Sequence, residues 1–169
     1  MSAPRNAPIL IDCNVLVAWS ADTTPADIRA RLEHLLAQAG AAGQRIIIPT
    51  PVLAEFLVRT DEATAGWLSA LERKAAVYVA PFDRMAAFEC ALIDRAALGA
   101  GDKRDGRQDA WQKIKIDRQI VAIGKALGVG LVVAEDAGVR STALRLGMQA
   151  RTLDELDLPP AGVQANLPL

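Results

Sequence analysis

Four acidic residues, far apart in the chain, occupy the positions best suited to chemistry: Asp12, Glu55, Asp117 and Asp136. Asp12 directly follows the apolar run Ile9-Leu10-Ile11, and Asp136 follows Leu131-Val132-Val133. Glu55 falls in the second turn of a helix expected to open at Thr50-Pro51, just after Ile46-Ile47-Ile48. Asp117 lies three residues before Ile120 and four before Val121, so on a helix it borders the buried face. Each acid alone has an ordinary use as a cap, a turn residue or a solvated side chain. Together they suggest a cluster of carboxylates. Such a cluster raises its own pKa values unless a cation relieves the repulsion. Oxygen-only ligation suits hard ions, so Mg²⁺ or Mn²⁺ is the expected cofactor. Two cysteines and one histidine, His34, cannot build a Cys/His zinc site. A metal held this way would activate water and act as a Lewis acid. Glu135 adjoins Asp136, but alternation at the end of a strand should turn it away from the cluster.

The elements that must position these acids follow from the apolar pattern. Ile9–Ile11, Ile46–Ile48, Val77–Val79 and Leu131–Val133 read as short buried strands, with a weak fifth at Gln149–Thr152. Between them, helical spacing appears over Asp27–Gln38, from Thr50 through Leu57, over Glu62–Ala75, from Asp83 to Gly99, up to Leu127, and over Val139–Leu146. Thr50 and Asp83 are expected to cap their helices. Met85, Phe88, Leu92 and Ile93, and then Ile116, Ile120, Ile123 and Leu127, are expected to form the apolar faces of the two long helices. Val15 to Trp19 is apolar and carries no assignment. Strands alternating with helices imply an α/β fold with a central, mainly parallel sheet flanked by helices. The carboxyl ends of such strands are where function gathers, and three of the four acids follow strand ends. One domain is expected over residues 1–155, with an extended tail over 156–169 that includes Pro159, Pro160 and Pro168.

Composition restricts the function classes further. The chain has 169 residues, 51% of them hydrophobic, enough for a real core. A formal charge of −1 does not announce a nucleic-acid binder, although an acidic catalytic site needs basic residues only where its substrate lies. Cys13 and Cys90 sit in apolar stretches and read as core thiols, not a disulfide. No run approaches the roughly 20 apolar residues of a membrane span. Met1 to Pro8 has no signal-peptide pattern, so a cytoplasmic location is the default expectation. A nucleotide-cofactor enzyme is disfavoured because no Gly-x-Gly-x-x-Gly follows the first strand. An aspartyl phosphatase would want a second Asp where Asn14 stands.

Four segments carry a family resemblance. Ile11-Asp12-Cys13-Asn14-Val15-Leu16-Val17 resembles the opening motif of PIN domains, and Pro49-Thr50-Pro51-Val52-Leu53-Ala54-Glu55 resembles their second. Lys115-Ile116-Asp117-Arg118-Gln119-Ile120 resembles the third, and Leu131-Val132-Val133-Ala134-Glu135-Asp136 the fourth. The likeness runs from about Pro8 to Thr152, with all four motifs in order. It implies a PIN-like three-layer fold and a metal-dependent ribonuclease in which Asp12, Glu55, Asp117 and Asp136 are the catalytic and metal-binding acids. Asn14 would support Asp12 by hydrogen bonding. RNA would meet Lys113, Lys115 and Arg118, which flank Asp117, and Lys103, Arg104 and Arg107 in a polar loop. Many PIN domains of this size are the toxin half of a VapC-type toxin–antitoxin pair. The resemblance therefore implies an antitoxin partner and a homodimer, although a free-standing RNA-processing nuclease fits equally. The fourth motif departs from the family pattern. Thr or Ser usually stands two residues before the acid, and this chain has Ala134. The alternative reading is a catalytically weak PIN-like module that binds RNA or protein.

Overall fold

The computed structural model describes residues 6–160. Five parallel strands form one sheet in the order β3-β2-β1-β4-β5. They are β1 (Ile9–Ile11), β2 (Ile46–Pro49), β3 (Val77–Ala80), β4 (Leu131–Val133) and β5 (Gln149–Arg151). The helices are α1 (Cys13–Ser20), α2 (Ala26–Ala41), α3 (Thr50–Val58), α4 (Glu62–Glu72), α5 (Arg84–Gly99), α6 (Trp111–Ala126) and α7 (Ala137–Arg145). Helix α1 packs on α2, α3 and α4, whereas α6 packs on α5 and α7. Right-handed crossovers produce this division: the chain moves outward from β1 to β3, then returns to add β4 on the other side of β1.

Burial explains which strands were easy to see. Every residue of β1 and β2 is buried, as an all-apolar interior strand requires. The edge strands β3 and β5 are only partly buried, and Gln149 opens β5 exposed, which is why its sequence signal is weak. Asp83 caps α5 as expected, accepting from the Ala86 N–H at 2.9 Å. Thr50 does not cap α3. Pro49 holds the N-cap position, and the Thr50 hydroxyl instead accepts from the Phe82 N–H.

Two apolar faces differ from expectation. On α5, Met85, Phe88 and Leu92 are exposed, and Ala86, Ile93 and Ala97 face the core. Alanines on the inner side let α5 lie close to its neighbours, so the larger apolar residues point outward. On α6, Ile120 and Ile123 are buried as expected, but Ile116 and Leu127 are exposed while Ile114 and Val121 are buried. The unassigned Val15–Trp19 run is helical, with Val15, Leu16 and Trp19 buried on its inner side. Trp19 meets Trp67 edge-on with ring centres 6.2 Å apart, and Phe56 lies 6.1 Å from Trp67, which makes the three a packing cluster. Leu156 joins the core, residues 157–160 have no regular secondary structure, and the rest of the expected tail, 161–169, lies outside the described residues.

Candidate carboxylate site

The strand order brings the ends of β2, β1 and β4 side by side, and the direction of winding changes between β1 and β4. Such a switch point leaves a crevice at the carboxyl edge of a sheet. Here the crevice is a cleft of about 270 Å³ lined by Asp12, Glu55, Asp117 and Asp136, together with Cys13, Asn14, Lys113, Ile116 and Ile120. All four acids singled out in the sequence therefore share one cleft.

Each acid arrives from a different element. Asp12 ends β1 at the N-cap position of α1, yet its side chain makes no cap hydrogen bond and is only 5% exposed. The cap reading of Asp12 is thus not what the structure shows. Asp117 is equally buried, because the turn of α6 that carries it also buries Ile114, Ile120 and Val121. Asp136 does two things at once. Its Oδ1 accepts from the N–H groups of Gly138 (2.7 Å) and Val139 (3.2 Å), which caps α7. Its Oδ2 accepts from Lys113 Nζ at 2.6 Å. Glu55 is half exposed and lies 3.5 Å from Arg59 one turn on.

The electrostatics tie the acids together. Burial pushes the Asp12 pKa up to about 6; the Cys13 N–H opposes this, and the charges of Asp136, Glu55 and Asp117 add to it. Burial, Glu55 and Asp12 push the Cys13 thiol to about 12, so it offers no thiolate near neutral pH. Burial would also raise Asp136, but hydrogen bonds from Lys113 and the α7 N–H groups hold it below the ordinary carboxylate value.

Two cations enter this acidic cleft from the same chain. Lys113 reaches Asp117 Oδ2 at 3.1 Å as well as Asp136. Arg107 reaches Asp117 Oδ2 at 2.5 Å and binds Asp109 through both Nε and Nη2. The oxygen-only donor set fits a hard divalent cation in kind. Among the described residues, however, no three metal-binding side chains stand close enough to share one ion as placed.

Several expected site residues take different roles. The Asn14 side chain lines the cleft and is exposed, and no hydrogen bond joins it to Asp12. Arg118 is corrected as an RNA contact: it is 1% exposed, and its guanidinium binds Asp94, Asp105 and the Lys103 carbonyl, each at 2.7 Å. Lys113 and Lys115 are separated by two positions on α6, so they face different sides; Lys113 lines the cleft and Lys115 is exposed outside it. Glu135 turns away as expected, accepting from the Leu153 N–H at 2.7 Å. Asp109 and Gly138 were not read as parts of the site, and Arg107, expected to meet RNA, is 10% exposed and pairs with Asp109 and Asp117 instead. A Cβ on Gly138 would lie 2.1 Å from Arg107 Nη2, so only glycine leaves room for that side chain. A glycine in the first turn of a helix, where alanine is intrinsically better, was the available signal.

No family model matches the chain, and no curated protein matches it. Solved structures do. A chain of VapBC2 from Rickettsia felis, bound to a promoter DNA fragment, superposes with a TM-score of 0.58 at 15% identity, covering 85% of this chain and 97% of that one. A chain of DNA-bound VapBC from Salmonella typhimurium gives 0.55 at 20% identity, covering 87% and 98%. The fold is therefore the PIN-like α/β fold that the four motifs imply, with a sheet that is wholly, not just mainly, parallel. Both similar chains belong to DNA-bound VapBC complexes.

Proposed function

We propose that this chain is a divalent-cation-dependent endoribonuclease. The observation that carries this reading is the convergence of Asp12, Glu55, Asp117 and Asp136, from four separate elements, on one cleft at the sheet's switch point. Asp12 is not explained by structural support: it is 5% exposed, its side chain caps no helix, and mutual repulsion adds to the rise in its pKa. Mg²⁺ or Mn²⁺ would be held by Asp12 first, with Glu55, Asp117 and Asp136 completing the set directly or through water. When bound, the ion supplies an activated water and relief of charge on the phosphate. Asp136, fixed by the α7 N–H groups, orients the edge of the cleft nearest β4. Lys113 offers the cleft's accessible positive charge to a phosphate, and exposed Lys115 extends attraction along α6.

The fold shared with chains of VapBC complexes supports a second part of the proposal, that the chain is the toxin half of a toxin–antitoxin pair with an antitoxin partner; a homodimeric state rests on the motif resemblance alone. A binding module with little catalysis has one specific observation in its favour, the two cations already set among the acids.

Paired substitutions test the assignment of the cleft. Asp136→Ala should lower the cleavage rate of single-stranded RNA by about a hundredfold or more, and high Mn²⁺ should restore part of it. Asp12→Ala should not be restored. Glu135→Ala should cost less than about threefold, because its carboxylate holds the Leu153 N–H and not the cleft. If Glu135→Ala is the more damaging of the adjacent pair, the active face at the end of β4 has been misassigned.

A further inference from the structure

Two of the four acids of the cleft, Asp117 and Asp136, are paired with cations of the chain itself. Lys113 Nζ stands 2.6 Å from Asp136 and 3.1 Å from Asp117, so one ammonium bridges two of the four acids. Arg107 Nη2 adds a second positive charge to Asp117 at 2.5 Å. The Arg107 side chain is only 10% exposed. Its Nη1 is buried and, among the described residues, has no hydrogen-bond partner. A buried guanidinium with one nitrogen unpaired has given up hydration that its ion pairs do not fully replace. Its seat on Asp117 is therefore one that a stronger competitor can take.

The turn before Arg107 is anchored, so displacement of Arg107 from Asp117 is a movement of its side chain. Asp105 is held by Arg118 at 2.7 Å and by Arg145 at 2.9 Å. Asp102 accepts from the N–H groups of Arg104 and Gly106. Gly106, after Asp105, has φ +75°, the left-handed conformation that glycine takes without a Cβ penalty, and the Arg107 N–H donates to the Arg104 carbonyl at 3.1 Å. Arg107 follows immediately beyond this anchored turn.

We propose that Lys113 and Arg107 form an internal cation lock. They occupy the charge positions of Asp117 and Asp136, and a divalent cation enters the cleft only by displacing them. The lock rests on the reading of the cleft as a divalent-cation site, and it makes cation binding and release of Arg107 a single coupled step. A dication answers the repulsion among the acids better than two monovalent groups held on tethers. The lock consequently lowers apparent metal affinity and sets a threshold concentration for assembly of the site. Lys113, once displaced, remains at the mouth of the cleft.

The test is the affinity of the purified full chain for Mn²⁺, read as free Mn²⁺ by electron paramagnetic resonance at low salt and neutral pH. Lys113→Met removes the bridging charge and keeps the stem. Gly138→Ala changes no charge, but its Cβ takes the space of the Arg107 guanidinium. Lys115→Met removes the same charge two residues along α6, outside the cleft, as a control. Lys113→Met and Gly138→Ala should each tighten Mn²⁺ binding by about tenfold, which is about 1.4 kcal/mol; Lys115→Met should change it less than twofold. Binding that appears only in the two cleft variants would support the lock as well. Unchanged or weaker binding in both variants, with wild type binding normally, overturns the lock and makes the cations braces for the acids. Absence of Mn²⁺ binding in every form overturns the divalent-cation reading itself.

Discussion

Asp12→Asn is expected to abolish RNA cleavage and, in the same protein stripped of metal, to raise the melting temperature. The two effects have one cause. Asp12 is 5% exposed, caps no helix with its side chain, and faces three other acids across the cleft. Its pKa in the fold is about 6, against 3.8 ordinarily. A raised acid favours its protonated form in the folded state. The fold is therefore most stable, with respect to this group, below pH 3.8; stability is lost as pH rises toward 6 and stays lost above it. A shift of this size corresponds to roughly 3 kcal/mol. Asn imitates the protonated acid and escapes the penalty. At neutral pH the variant should melt about 6–12 °C higher, given 2–4 °C for each kcal/mol in a domain of this size. The advantage should close as pH falls toward 4. Cleavage should drop by about a thousandfold, since several kcal/mol of transition-state stabilisation rest on the bound ion. Melts from pH 4 to 8 beside a cleavage assay check both halves. A melting temperature that falls at neutral pH would mean that the Asp12 carboxylate supports the fold.

Arg118→Met should have the opposite character, with large damage to stability and no direct effect on the cleft. The Arg118 guanidinium is 1% exposed and joins Asp94 on α5, Asp105 and the Lys103 carbonyl in the 101–110 segment, and the ring of Trp111 at 5.6 Å. Removing it leaves Asp105, 17% exposed, with Arg145 as its remaining cation. Breaking a buried pair from one side costs about 3–5 kcal/mol. Asp94 is 40% exposed and rehydrates, which puts the expected loss near the lower end, about 3 kcal/mol. Urea unfolding should show the midpoint falling with the slope retained. A loss below about 1 kcal/mol would show that the clasp contributes little.

The residues explain how much of this was legible in the sequence. Short strands such as Ile9–Ile11 and Ile46–Ile48 declare themselves, because interior parallel strands are buried on both faces and tolerate only apolar side chains. Their order in the sheet then brings the acids at their ends together. Asp117 was accessible by helical spacing from Ile120 and Val121. The basic residues were not legible in the same way. Charge alone does not distinguish the solvated Lys115 from the buried Arg118, because burial there depends on Asp94 and Asp105, which lie 24 and 13 residues away. Arg107, in the loop before α6, is a tertiary contact of the same kind, formed because Gly138 in the first turn of α7 leaves it space. The outward face of α5 misled because large apolar residues outweigh alanines in any periodicity, although Ala86 and Ala97 are the ones that pack inward.

One measurement bears most directly on the carboxylate cleft as a catalytic site. The purified chain is stripped with EDTA, exchanged into metal-free buffer and titrated with Mn²⁺ or Mg²⁺ while cleavage of a single-stranded RNA is followed. The cleft acids require silence without the divalent cation, saturable return of cleavage as it is added, and loss of that return in Asp12→Asn. RNA binding without cleavage at any cation concentration would favour the binding-module reading. Cleavage that continues undiminished in EDTA would contradict a role for the four carboxylates as holders of a catalytic metal.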